Sequence, residues 1–291
     1  MKILVALDGS DASFNAMKSA CNLAARTDAY ITAFYVNKGE EYTPEETGWL
    51  SIKDRISKEL ETFGHEVIYK AYAIGKEFHV PVEGLISYGI PAQEILKYTN
   101  AYGIIKLIVM AHSSKGKAAQ EFVESTTKNV VAGSGIPVFV TDRDISIKRV
   151  LLAVDDSEGA RKATAYAGNM AKVLGAVLHV ISVIPDAEDE INRYSRIAEV
   201  PNIQKYIKAS EKDINNIIDN TLSATREILS SLGMSTPVTV KKGRVSDEII
   251  SEARNHDLLV IGIDKSPSHK KPGRTATTLL NTHAVNAIFV Q

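Results

Sequence analysis

The chain opens with MKILVALDGSDASFNA (residues 1–16), and at Lys148 it writes nearly the same line again, KRVLLAVDDSEGARKA (148–163). Lys2 falls against Arg149, Asp8 against Asp155 and Ser10 against Ser157, at one constant offset. In each copy a short apolar run ends on an aspartate, with a serine two residues later. Continuous apolar runs of this length, rich in β-branched residues, favour strands buried on both faces. An aspartate and a serine directly after such a strand favour a turn into a helix, with Ser10 and Ser157 as N-caps.

The same reading extends along both halves. Strands are predicted at 3–7, 31–36, 82–88, 106–111 and 136–141, then at 149–154, 177–184, 237–241, 257–263 and 286–290. Helical periodicity lies between them. Residues 13–26 place Phe14, Met17, Cys21 and Leu23 largely on one face, and residues 91–102 begin on Pro91, a first-turn position. Thr43-Pro44-Glu45-Glu46 reads as the start of a long helix running to about residue 72, with Thr43 as N-cap. Strict alternation of strand and helix gives a parallel sheet with helices on both faces and right-handed crossovers. The expected architecture is therefore α/β: two similar doubly wound domains, each a five-stranded parallel sheet, over residues 1–143 and 147–291. The segment TDRDISIK (141–148) reads as a short charged linker.

Composition narrows the function classes. The formal net charge of −1 creates no global field toward nucleic acid or an anionic membrane, so neither partner is expected. ILVAL, the apolar run before Asp8, is shorter than a secretory apolar core, and no window approaches the ~18 apolar residues of a membrane span. A lone cysteine, Cys21, excludes an internal disulfide and a thiolate metal cage; its surroundings, SACNLAA, read as a buried helix face. A cytoplasmic location is expected. None of the seven histidines has metal-ligand spacing with Cys or Asp, so no metal is expected; His112 and His269 lie in loops that face a strand-end site. No nucleophile–base pair is legible.

In an open parallel sheet, ligands bind beyond the carboxyl ends of the strands, where the strand order reverses. Asp8-Gly9-Ser10 and Asp155-Asp156-Ser157 occupy such ends. There an aspartate accepts hydrogen bonds from a ribose or a base edge, or serves only its own turn.

With these residues in place the chain resembles a tandem universal stress protein, two copies of that family's domain. The resemblance rests on ILVALDGSDAS and VLLAVDDSEGA, on Val36 and Val183 closing the second strand, and on YGIPAQEIL (88–96) and KGRVSDEII (242–250). KLIVMAHSS (106–114), DLLVIGIDK (257–265) and the last strands IPVFV (136–140) and NAIFV (286–290) complete it. The resemblance implies a non-enzymatic stress or signalling protein, and many members of the family bind ATP. They do so through a pattern of two glycines three apart and, nine residues on, a third followed by Ser or Thr. Such glycines let backbone N–H groups approach phosphate, and the last pair opens a helix.

Both copies depart from that pattern. In the first, the positions hold Ala111, Ser114 and Glu124-Ser125. A carboxylate ~4 Å from a phosphate charge costs on the order of 4 kcal/mol at an effective dielectric near 20, roughly a thousandfold in affinity. The second keeps Gly262, then has Lys265, with Lys270, Lys271, Gly273, Arg274 and Thr275 around the last glycine position. That stretch reads either as an anion site built from side chains or as a solvated basic loop. The resemblance thus implies adenine nucleotide binding mainly in the second copy, by Asp155, Asp156, Val183, Gly262, Lys265, Gly273, Arg274 and Thr275. Asp8, Val36, Ala111, Ser114 and Ser125 form a weaker set in the first. It also implies internal pairing of the two domains through 136–140 and 286–290, with a homodimer as a further expectation. Two other readings stand beside it. One is a ligand-free interaction module that regulates a partner. The other is an ATP-using nucleotidyl transferase on a related fold, disfavoured because the leading Ser-Gly-Gly of such loops is absent.

Overall fold

The computed structural model describes residues 1–39, 52–112, 126–185, 203–264 and 273–291. The chain divides into two compact units, the first over Met1–Ser146 and the second from Ile147 to Gln291. In the first, β1 (Lys2–Leu7), α1 (Asp11–Thr27), β2 (Tyr30–Asn37), α2 (Ile52–Glu77), β3 (Val82–Tyr88), α3 (Pro91–Ala101) and β4 (Ile105–Met110) are followed by α4 (126–133) and β5 (Val138–Val140). Their sheet runs β3-β2-β1-β4-β5, with every pair parallel.

The second unit repeats this order. It comprises β6 (Arg149–Ala153), α5 (Glu158–Leu174), β7 (Val177–Pro185), α6 (Ile203–Ser231), β8 (Val238–Gly243), α7 (Val245–Ala253), β9 (Leu258–Gly262), α8 (Arg274–Thr282) and β10 (Ala287–Val290). Its sheet runs β8-β7-β6-β9-β10, again all parallel. The doubly wound α/β fold expected from the sequence is the fold observed. In each unit the order reverses beside the first strand, between β1 and β4 and between β6 and β9.

The sheets are buried on both faces. Ile3, Leu4 and Val5 of β1 and Val150 and Leu152 of β6 have no accessible surface. Helix α1 covers its sheet with Ala16, Met17, Ala20, Cys21 and Ala24, all buried. Small residues dominate this face, so the helix axis lies close over the strands.

The turns after β1 and β6 are built alike. Ser10 Oγ accepts from the Ser13 N–H at 3.1 Å, and Ser157 Oγ from the Ala160 N–H at 3.0 Å. Asp8 Oδ1 accepts from the Ser10 N–H at 3.0 Å, and Asp155 Oδ1 from the Ser157 N–H at 3.1 Å. Both expected caps are present, each contributing ~1 kcal/mol. The helices also end alike, on Asp28 and Gly175 in the left-handed region at φ 48° and 56°.

Two expectations change. Helix α2 continues past residue 72 to Glu77, where Phe78 N–H still bonds the Ile74 carbonyl; its expected start at Thr43 lies outside the described residues. The charged join is a strap along α1. Asn15 Nδ2 donates to the Asp142 carbonyl at 3.1 Å, and Ser19 Oγ to the Arg143 carbonyl at 2.6 Å. Ile145 N–H donates to Ser19 Oγ at 2.9 Å, and Asn22 Nδ2 donates to Asp144 Oδ1 at 3.0 Å. Asn15, Ser19 and Asn22 fall on one helical face, so three polar side chains hold residues 142–145 in place.

Cys21 is fully buried, and burial pushes its thiol up to about 12, with Asp144 and Glu77 adding smaller contributions. The thiolate is the reactive form. Native protein near neutral pH should therefore leave a disulfide-exchange probe unreacted, and denatured protein should react at one thiol per chain. Rapid reaction of the folded protein would contradict this burial.

Candidate functional site

The reversal of strand order opens a cleft at the carboxyl ends of the strands in each unit. In the second unit it measures ≈ 510 Å³, within the ~300–1,000 Å³ range of small-molecule sites. Asp155 and Asp156 border it from the turn after β6, Ser182 and Val183 from β7, and Ile217 and Thr221 from α6. Gly262 and Asp264 border it from the end of β9, and Gly273, Arg274 and Thr275 from the start of α8.

The polar groups separate into two ends. At one end stand the exposed carboxylates of Asp155 and Asp156. Asp155 commits Oδ1 to its own turn, which leaves Oδ2 toward the cleft. At the other end α8 begins on Gly273, with no side-chain hydrogen bond at its N-cap. Gly273 has φ −57°, and no atom of the described residues lies where a Cβ would stand. As N-cap it brings no side chain to the helix N-terminus beside Arg274 and Thr275. Such an end favours an anion through its N–H groups and its dipole.

Gly262 lines the cleft, but its missing side chain answers a different need. A Cβ there would lie 2.2 Å from the Gly159 carbonyl carbon and 2.4 Å from the Ala160 nitrogen. A Cβ on Gly159 would in turn meet the Ile263 backbone at 2.9 Å. Strand β9 and the first turn of α5 therefore touch backbone to backbone. Asp264 closes the same corner, accepting from the Gly159 N–H at 2.8 Å. The contact holds the amino end of α5 against the floor of the cleft. Sequence reading found Gly262 and missed its partners Gly159 and Asp264, whose only signal is proximity across about a hundred residues.

The first unit's cleft is ≈ 230 Å³, below the usual range for a small-molecule site. Asp8, Val36 and Ala111 line it, and both Val36 and Ala111 are buried. Large side chains narrow it. Tyr35 stands at the strand position where the second unit has Ser182. Its ring meets Phe63 edge-on, with centroids 6.0 Å apart. Phe63 in turn lies on the turn itself, where a Cβ on Gly9 would be 2.4 Å from Phe63 Cζ. Burial raises the Tyr35 phenol above its ordinary range, and the Asp8 carboxylate adds to the shift. The phenol stays neutral and packed, and its ring narrows the cleft. Lys265, Ser114 and Ser125 lie outside the described residues, as do Glu124, His269, Lys270 and Lys271.

His112 closes the carboxyl end of β4. Its N–H donates to Asp142 Oδ1 at 2.7 Å, and Thr127 Oγ1 donates to the His112 carbonyl at 3.2 Å. It is buried, so the expected loop position is a packed one.

A duplicated α/β protein with a cleft at each sheet's switch point is what fold and site define. The sequence model of the Universal stress protein family matches it twice, at residues 1–142 and 146–284. A universal stress protein of Methanocaldococcus jannaschii is 30% identical over 144 residues, covering 49% of this chain and 82% of that protein. Universal stress protein YxiE of Bacillus subtilis is 28% identical over 144 residues, covering 48% of this chain and 97% of that protein. The crystal structure of a universal stress protein from Archaeoglobus fulgidus superposes with a TM-score of 0.68 at 18% identity, over 100% of this chain and 98% of that one. The chain belongs to the universal stress protein family and carries its domain twice. No helix among the described residues is long and apolar enough to cross a membrane.

The glycine contact yields a quantitative expectation. Gly262→Ala forces a Cβ into the Gly159 backbone and should destabilise the protein by ~1–3 kcal/mol, as overpacking does. Gly273→Ala meets no atom of the described residues and should cost only the weaker capping of alanine, less than ~1 kcal/mol. Denaturant titration of the two variants measures the difference; equal stabilities would refute the close contact.

Proposed function

We propose that this chain is a non-enzymatic stress-response or signalling protein that binds an adenine nucleotide through its second unit. The observation that carries the reading is the contrast between the two clefts. At the same place in the fold, one measures ≈ 510 Å³ and reaches a helix N-terminus with an arginine, and the other measures ≈ 230 Å³ and is narrowed by Tyr35. Asp155 takes a ribose hydroxyl through its free oxygen, Val183 borders the adenosine, and Gly273, Arg274 and Thr275 take phosphate oxygens. Asp156 adds a carboxylate beside the ribose end. The first unit, its cleft narrowed, serves packing or recognition of a protein partner.

The two units pair through β5 and β10 in this reading. Each strand ends its own sheet and is wholly apolar, VFV and AIFV. Apolar edges invite pairing with any available strand, and mutual pairing removes both from solvent.

Native mass spectrometry of the intact chain with ATP and magnesium tests the first proposal. One nucleotide should bind per chain. Arg274→Glu should weaken binding by at least about tenfold, since one charge-assisted contact becomes a repulsion, and Tyr35→Ser in the first unit should leave this site unchanged. Absence of any bound nucleotide would overturn the reading in favour of a ligand-free interaction module.

Light scattering on residues 1–146 alone, a cut that keeps the strap on α1, tests the second. The fragment should self-associate, and Phe139→Lys should abolish the association. A folded monomer would count against pairing through β5.

A further inference from the structure

Two histidines far apart in the sequence meet in the second unit. His179 stands in β7, and His256 in the turn between α7 and β9. His256 Nε2 lies 2.8 Å from His179 Nδ1, with the rings at 80° and their centroids 4.9 Å apart. The other nitrogen of His256, Nδ1, lies 3.0 Å from the Glu252 carbonyl oxygen. A carbonyl only accepts, so Nδ1 carries the proton and Nε2 of the neutral ring presents a bare lone pair. That lone pair points at His179. Metal-bound histidines are held in the same way, one nitrogen on the ion and the other N–H fixed on a carbonyl or carboxylate.

We propose that His179 Nδ1 and His256 Nε2 form a binding site for a divalent transition metal ion of the zinc class. His179 moves its proton from Nδ1 to Nε2 as the ion enters, so both rings stay neutral. Zinc–nitrogen bonds of about 2.0–2.1 Å at a tetrahedral angle set the nitrogens about 3.3 Å apart. The rings must therefore separate by about half an ångström, a side-chain rotation for two half-buried residues. Glu252, one helical turn before His256, bonds Lys241 Nζ at 2.8 Å and is not a ligand in this geometry. Water completes the shell. Asp257 is not available, because its Oδ2 accepts from the Lys148 and Arg149 N–H groups at 2.9 and 2.8 Å. Paired imidazoles suit zinc, copper or nickel over magnesium or calcium.

The fold itself does not call for imidazoles here. The first unit has Thr32 in the register position of His179, opposite Leu4 as His179 is opposite Leu151, and an isoleucine, Ile105, at the foot of β4. The pair also lies toward the amino ends of the strands, away from the cleft. Its test is therefore independent of nucleotide binding.

Zinc titration of the full chain by calorimetry near neutral pH should find a saturable site of one ion per chain. His179→Ala and His256→Ala should each weaken it by about tenfold or more, and Glu252→Gln should leave it unchanged. His179→Gln, which keeps a hydrogen-bonding group toward His256 but is a poor zinc ligand, should retain the wild-type melting temperature without zinc and lose the rise that zinc gives. Zinc binding of wild-type strength in the His179→Gln and His256→Ala variants would place the ion on other histidines and overturn the proposal. So would a wild-type chain without saturable binding.

Discussion

Each sheet in this protein is covered on both faces, and that burial governs the rest. A strand in the interior of such a sheet has no side chain to spare: residues pointing up pack one helix layer, and those pointing down pack the other. In β1 and β6 the central residues are wholly enclosed. Chemistry is left to the strand ends, and the reversal of strand order parts the loops at one of those ends. The two units therefore offer the same opening by construction. What distinguishes them is the size of the side chains that border it.

That difference resides in few residues. Ser182 against Tyr35 decides whether the second strand ends in space or in a ring. Phe63 then rests on Gly9, and Tyr35 narrows the first opening without moving a strand. The turn beneath is unaffected: Asp8 and Ser10 make the same bonds as Asp155 and Ser157. The turn is needed to start the helix whether or not anything binds above it. A repeated aspartate and serine thus report a repeated fold, and the bulk of the neighbouring side chains reports a changed use.

The sequence made the fold legible because its signals are local. Apolar runs such as ILVAL, caps such as Ser157 and a first-turn proline at position 91 act within a few residues, and the duplication let each half check the other. The site was legible only in part. Tyr35 sits in ITAFYV, where an aromatic residue looks like any other core position, so its narrowing of the cleft leaves no mark. Asn15, Ser19 and Asn22 carry no local signal of a partner, yet they grip the strap at 142–145. Gly159 and Gly262, like His179 and His256, are joined only by the fold. No spacing rule reaches across such separations, because the contact is made by two elements laid side by side and not by one element's period.

The contact between α5 and β9 has a consequence for how this half of the chain can vary. Two residues without side chains lean on each other, and neither tolerates a first step alone. A methyl on Gly262 is obstructed by Gly159, and a methyl on Gly159 is obstructed by the backbone at Ile263. Neither change prepares the ground for the other, since each adds bulk to the same gap. The route to a larger residue at either position begins with a shift of the helix. The first unit has alanine at both corresponding places, Ala12 and Ala111. The two halves thus occupy separate basins of one landscape, one with a helix seated close and one with room for a methyl on each side. Passage between them requires the helix to move before, or together with, the letters that record its position.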